Sequence, residues 1–139
     1  MSQSLPETLV LLSHASRLEQ LKLWLNKARD SIHRYRLLTT TELAEALSDI
    51  DMEFISVLSG SNGGEVQLAG LIPTHSVLAV IFLHDPADAE LDFAVFQRVC
   101  DLNGLPLASN IGTALGLIPW LAEPESLIEQ DERDSDAAA

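Results

Sequence analysis

Strand-length apolar runs alternate with segments of helical periodicity along the whole first part of this chain, and that alternation limits the fold more than any other feature. The runs are Leu9 to Leu12, Tyr35 to Leu38, Phe54 to Leu58, Val77 to Leu83 and Leu105 to Ala108. Between and after them lie Ser16 to Ile32, Thr41 to Leu47, Glu65 to Ile72, Glu90 to Asn103 and Ile111 to Ile118, the first carrying Leu18, Leu21, Leu25 and Ala28 on one stripe. Strands joined through helices pair in parallel, so the pattern predicts a doubly wound α/β domain: a five-stranded parallel sheet with helices on both faces. Ligands of such sheets bind outside the carboxyl ends of the strands. The turns at those ends are polar: His14, Thr39 to Thr41, Ser59 to Glu65, His84-Asp85-Pro86 and Ser109-Asn110.

With 139 residues, 47% of them hydrophobic, the chain has the size and apolar content of one folded domain, placed here at residues 1–120. Residues 121–139 bring Glu123, Glu125, Glu129, Asp131, Glu132, Asp134 and Asp136 against a single Arg133, and they read as a disordered acidic tail. Such a tail either solvates the protein or docks on a basic protein partner. A net charge of −13 leaves too few Lys and Arg to neutralise many phosphates, which argues against nucleic-acid and anionic-membrane partners. The longest apolar run is far short of a bilayer span, and the first residues lack the basic-then-apolar pattern of a secretory signal, so a cytoplasmic protein is expected. One cysteine, Cys100, allows no internal disulfide and falls in a helical pattern as a buried thiol.

The stretch Ser59-Gly60-Ser61-Asn62-Gly63-Gly64-Glu65-Val66-Gln67 offers glycine backbone that can approach an anion, followed by a carboxylate within reach of it. Two glycines in an αβ turn are also explained by steric relief alone. Thr39-Thr40-Thr41 closes the second strand and opens a helix, where one hydroxyl caps the helix and its neighbours can hydrogen-bond a phosphate. His14 stands at the expected centre of the sheet, either polarising a carbonyl as a neutral imidazole or hydrogen-bonded to a loop carbonyl. Asp85 either pairs with Glu65, splitting their pKa values as proton shuttling needs, or builds an ordinary Asp-Pro turn. No Gly-x-Gly-x-x-Gly, phosphate-loop Lys-Ser/Thr, nucleophile elbow or His/Cys metal spacing is present, so no cofactor and no metal are expected.

In this order, a strand ending in His, a Thr-rich turn, Ser-Gly-x-x-Gly-Gly-acid-x-Gln, a strand ending in Asp-Pro and Leu105 to Ala114 (Leu-Pro-Leu-Ala-Ser-Asn-Ile-Gly-Thr-Ala) resemble methylglyoxal synthase, over about Leu9 to Ile118. The resemblance implies a doubly wound domain, usually a homohexamer, in which dihydroxyacetone phosphate loses phosphate to give methylglyoxal. The same fold also serves as a regulatory ligand-binding domain in carbamoyl-phosphate synthetase. Carried over residue by residue, the resemblance puts the phosphate on Thr40, Thr41, Ser59 and Gly60, with Gly64 in the same loop. It places His14 and Asp85 in the substrate pocket and Glu65 at the catalytic base.

The chain departs from the family pattern at several of these positions. The base is normally Asp, so Glu65 adds a methylene where placement is sensitive. His-Asp-x-x-Lys reads His14-Ala15-Ser16-Arg17-Leu18, which replaces the phosphate-binding lysine with Leu18 and offers Arg17 one residue away, about 100° around a helix. Thr-Gly-Thr-Thr-Gly reads Leu38 to Glu42, and the Pro-His-x-Pro-Asp segment after Asp85-Pro86 is missing, with His84 nearby. Loss of a cation and of a carbonyl-polarising histidine can each lower a rate about 10²-fold or more. The expected function is binding of a small phosphorylated or carboxylated metabolite in a regulatory homo-oligomer with little or no catalysis. The alternatives are an active methylglyoxal synthase or an interaction protein working through its acidic tail.

Overall fold

The first strand, β1 (Thr8–Ser13), pairs in parallel with β2 (Arg36–Thr40) on one side and with β4 (Val77–Leu83) on the other. β3 (Ile55–Val57) adds to β2 and β5 (Leu107–Ala108) adds to β4, giving the order β3-β2-β1-β4-β5. This computed structural model describes residues 7–57, 69–70, 72, 76–87 and 93–124. The expected parallel five-stranded sheet is therefore present. The chain winds outward from β1 to β3 on one side, then crosses back and winds outward through β4 and β5, so the switch point lies between β1 and β4.

The sheet is buried on both faces, and alternation along each strand decides which face a residue serves. Leu9 and Leu11 of β1, with Ala79, Ile81 and Leu83 of β4, join a cluster with α1 (Leu18–Ile32) and α4 (Ile111–Ala122). Val10, Leu12, Val80 and Phe82 join the opposite cluster with Phe96 and Cys100 of α3 (Phe93–Asn103). Short α2 (Thr41–Ala46) follows β2 directly. Burial pushes the Cys100 thiol up to about 11, so this residue is an inert core thiol, as its place in the helical pattern indicated.

Helix α1 presents Leu21, Trp24, Leu25, Ala28 and Ile32 inward, a stripe at helical spacing. Fully buried Trp24 donates its indole N–H to the carbonyl of Ala114 at 2.6 Å, pinning α1 to α4. Helix α4 runs through Pro119 to Ala122, four residues beyond the end expected at Ile118. Proline withdraws one helical N–H, yet the next turn is kept because Leu121 is buried and its carbonyl accepts from the Tyr35 hydroxyl, with Arg34 donating to the Ala122 carbonyl at 3.2 Å. A 3-10 turn at Ala15–Arg17 precedes α1, so the helix begins at Leu18, the first residue of its apolar stripe and two residues after the expected start at Ser16. No helix among the described residues is long and apolar enough to cross a membrane.

Candidate functional site

The switch point brings the carboxyl ends of β1 and β4 side by side. Ser13 is registered with Leu83, and the N–H of His14 donates to the Leu83 carbonyl at 3.0 Å. This puts His14 against His84 and Asp85, although about seventy residues separate them in sequence. His14 is 2% exposed. The backbone N–H of Asp85 donates to its Nδ1 at 2.8 Å, which makes Nδ1 the acceptor and leaves the proton of the neutral ring on Nε2. Nε2 is buried and has no hydrogen-bond partner among the described residues. The ring meets Phe82 edge-on at 5.9 Å and lies 5.1 Å from the His84 ring, which stacks on Phe93 at 4.4 Å.

The Asp85 carboxylate is held from several directions. Ser16 donates its hydroxyl to one oxygen at 2.7 Å, while the other accepts the Ala87 N–H at 3.0 Å and lies 3.8 Å from the Arg17 guanidinium. These contacts hold the carboxyl below its ordinary range. Ser16 contributes most, then the Ala87 N–H, and the Arg17 guanidinium adds its charge against an opposing effect of burial. The Ala87 bond is the local Asp-Pro turn that the sequence allowed as one reading of Asp85. Sequence reasoning alone does not single out Ser16. Its position two residues after the strand-ending His14 is the available signal.

The three threonines at the end of β2 are engaged differently. Thr39 donates to the Leu11 carbonyl at 2.6 Å and Thr41 to the Val57 carbonyl at 2.8 Å, tying β2 to β1 and the start of α2 to β3. Thr40 accepts the Leu43 N–H at 3.2 Å as the N-cap of α2, so its own hydroxyl proton is uncommitted among the described residues. Glu65, Ser59, Gly60 and Gly64 lie outside the described residues, as do most of the helix expected at Glu65 to Ile72 and the tail from residue 125 on.

On the other side of the switch point, a cavity of about 370 Å³ opens between the starts of α1 and α4, lined by Arg17, Gln20, His84, Pro86, Ser109 and Asn110. Asn110 caps α4 by accepting the Thr113 N–H at 2.9 Å. Leu18, where the resemblance expects a lysine, is half-buried and packs on the core with α1. Among the described residues, no cluster of His, Cys, Asp and Glu has a metal-holding arrangement. Among the described residues, this edge offers the imidazole N–H of His14, the Thr40 hydroxyl and a guanidinium already engaged with a carboxylate.

No family model matches the chain. It is similar to a methylglyoxal synthase of Thermus thermophilus, 34% identical over 119 residues that cover 83% of this chain and 94% of that protein. An uncharacterized protein of Synechocystis is 30% identical over 122 residues, 85% of this chain but 28% of that longer protein. Among solved structures, methylglyoxal synthase from Elizabethkingia anophelis superposes with a TM-score of 0.76 at 27% identity, over 84% of this chain and 81% of that one.

Proposed function

This chain belongs to the methylglyoxal synthase family, and on that premise we propose that it binds a small phosphorylated or carboxylated metabolite and reports it, with little or no catalysis. The observation that carries the reading is the fate of positive charge at the switch point. The position of the phosphate-binding lysine holds Leu18, packed on the core, and neighbouring Arg17 faces Asp85 at 3.8 Å. A substrate dianion would have to compete with that carboxylate for the guanidinium. Deprotonation beside a carbonyl also needs a group that takes up charge on the developing enediolate, and each missing electrostatic group lowers the rate about 10²-fold or more. The match to a 28% portion of a longer Synechocystis protein agrees with a unit that works as a module.

In this reading the Thr40 hydroxyl, the backbone N–H of Thr41, Ser59 and Gly60 hold the anion beside Gly64, with His14 and Asp85 lining the pocket and Glu65 at the place of the base. The protein is cytoplasmic and homo-oligomeric, a hexamer by analogy with the family. Support for assembly comes from Val95 and Leu102, 43% and 74% exposed and seven residues apart on α3, which form an apolar stripe on its outer side. The acidic residues from Glu123 on act as a solvating extension or a contact for a basic partner, whereas Leu121 and Ala122, expected at the start of that tail, belong to α4.

One observation favours the second reading, an active lyase. Neutral His14, with Nε2–H free and Nδ1 fixed by Asp85, is the form of imidazole that polarises a carbonyl while carrying no charge of its own. Incubation of the full chain with dihydroxyacetone phosphate, with methylglyoxal measured directly, separates the two. Binding without turnover supports the regulatory module, and robust turnover lost in Glu65→Gln supports the lyase.

A further inference from the structure

The other end of the sheet carries a larger cavity, of about 430 Å³, in the size range of small-molecule sites. It lies where the last turn of α1, the start of β2 and the stretch leading into β3 converge, opposite the carboxyl ends where His14 and Thr40 stand. Ile32, Leu37, Met52 and Phe54 supply an apolar wall. Arg29 closes one side and is fixed there by donating to the Asp51 carbonyl at 2.7 Å and to Asn26 at 3.1 Å. Arg36 lines the cavity from the first position of β2.

Two features of the charges point to a ligand. Arg36 has no side-chain hydrogen bond or ion pair among the described residues, and its Nε is shielded from solvent without a partner. Arg36 as a whole is half-buried, but a shielded N–H donor in that condition costs stability unless something pairs with it. Exposed Asp51 and Glu53 line the same cavity, and neither forms an ion pair with Arg29 or Arg36. One cavity thus holds a seated cation, an acidic rim and an apolar wall, with opposite charges left apart. An anion alone would meet the rim and the chain's net charge of −13. A zwitterion meets neither penalty, because its carboxylate takes the Arg36 fork while its ammonium faces Asp51 and Glu53.

We propose that this cavity binds a free α-amino acid with an apolar side chain, its carboxylate on Arg36, its ammonium at the Asp51 and Glu53 rim and its side chain against Met52 and Phe54. This site is separate from the metabolite site and does not depend on it.

The test is calorimetric titration of the full-length protein with L-leucine, L-methionine and L-phenylalanine, alongside 4-methylpentanoate and 3-methylbutylamine, which keep the leucine body but lose one charge each. At least one amino acid should bind, and each truncated compound should bind about tenfold more weakly than leucine or worse, the loss of one charged contact. Arg36→Gln should weaken binding at least about tenfold, whereas Thr40→Ala, at the opposite end, should not alter it. If Arg36→Gln does not fold, Glu53→Gln decides, because that exposed side chain can be changed without disturbing the core. Absence of binding by all three amino acids overturns the proposal. So does 4-methylpentanoate binding as tightly as leucine, or undiminished binding in the folded Arg36→Gln or in Glu53→Gln.

Discussion

The Asp85 backbone N–H donates to Nδ1 of His14 at 2.8 Å across a separation of 71 residues, so the protonation of a buried imidazole is fixed by main chain rather than by another titrating group. The arrangement predicts that the ring carries its proton on Nε2 and donates from there. Nitrogen-15 imidazole shifts should report the Nε2–H tautomer near pH 7. His14→Gln should remove most ligand affinity.

Asp85 gives a stability profile with a defined sign. Its pKa is lower in the folded state, chiefly through the Ser16 hydroxyl, so its contribution is present above the ordinary aspartate value of about 3.9 and is lost as pH falls through the lower folded value. Asp85→Asn should therefore melt below the wild type at neutral pH, and the two should converge in acid. Ser16→Ala should show a weaker version of the same convergence. Melting curves from neutral pH down into the acid range check both.

Trp24 bonds to the Ala114 carbonyl from a fully buried position, which combines packing with a hydrogen bond. Trp24→Phe should destabilise by about 1–3 kcal/mol, leaving that carbonyl without its donor. Trp24→Ala should reach about 3–5 kcal/mol through the cavity it opens. Urea titration read by circular dichroism separates the two.

Thr40 is predicted to serve stability and binding together. Thr40→Ala should lower stability by about 1 kcal/mol, as loss of an N-cap does, and should also abolish the melting shift produced by a phosphometabolite. At a hundredfold excess over Kd that shift corresponds to about 2.7 kcal/mol in the wild type. Thr40→Ser, which retains the hydroxyl, should keep both.

Turnover of dihydroxyacetone phosphate by the unaltered chain should fall at least about 10²-fold below the usual enzyme range. Glu65→Asp alone should leave it there. Adding Leu18→Lys returns a cation and should recover part of the rate, with some loss of stability because Leu18 packs on the core. Steady-state assays on the three proteins test the order.

The fold was legible because burial on both faces writes itself into the strands as near-continuous apolar runs, and Leu9 to Leu12 and Val77 to Leu83 sort residue by residue into the two core clusters. The convergence of His14 with Asp85 was legible too, since both end strands that flank the switch point. The bond between them was not, because a main-chain donor carries no residue signature. Thr39 and Thr41 looked like anion contacts, yet their hydroxyl protons go to carbonyls of neighbouring strands. The expected helix ends at Ile118, and only the tertiary partners Tyr35 and Arg34 explain why it continues through Pro119. Arg36 carried no motif at all, and the rule that directs attention to carboxyl ends points away from its cavity.

The latch of Tyr35 and Arg34 on the last carbonyls of α4 also gives the molecule a polarity useful at the bench. Those two residues immediately precede the amino end of β2, so a reporter fused after residue 124 leaves from the edge opposite His14 and Thr40. A seven-residue strand such as β4 is about 23 Å long, and that length separates the attachment point from the metabolite crevice. Immobilisation through that end would present the crevice outward. Immobilisation should, by the same geometry, crowd the cavity at Arg36, so surface-based and solution measurements of the two ligands ought to diverge for one and agree for the other.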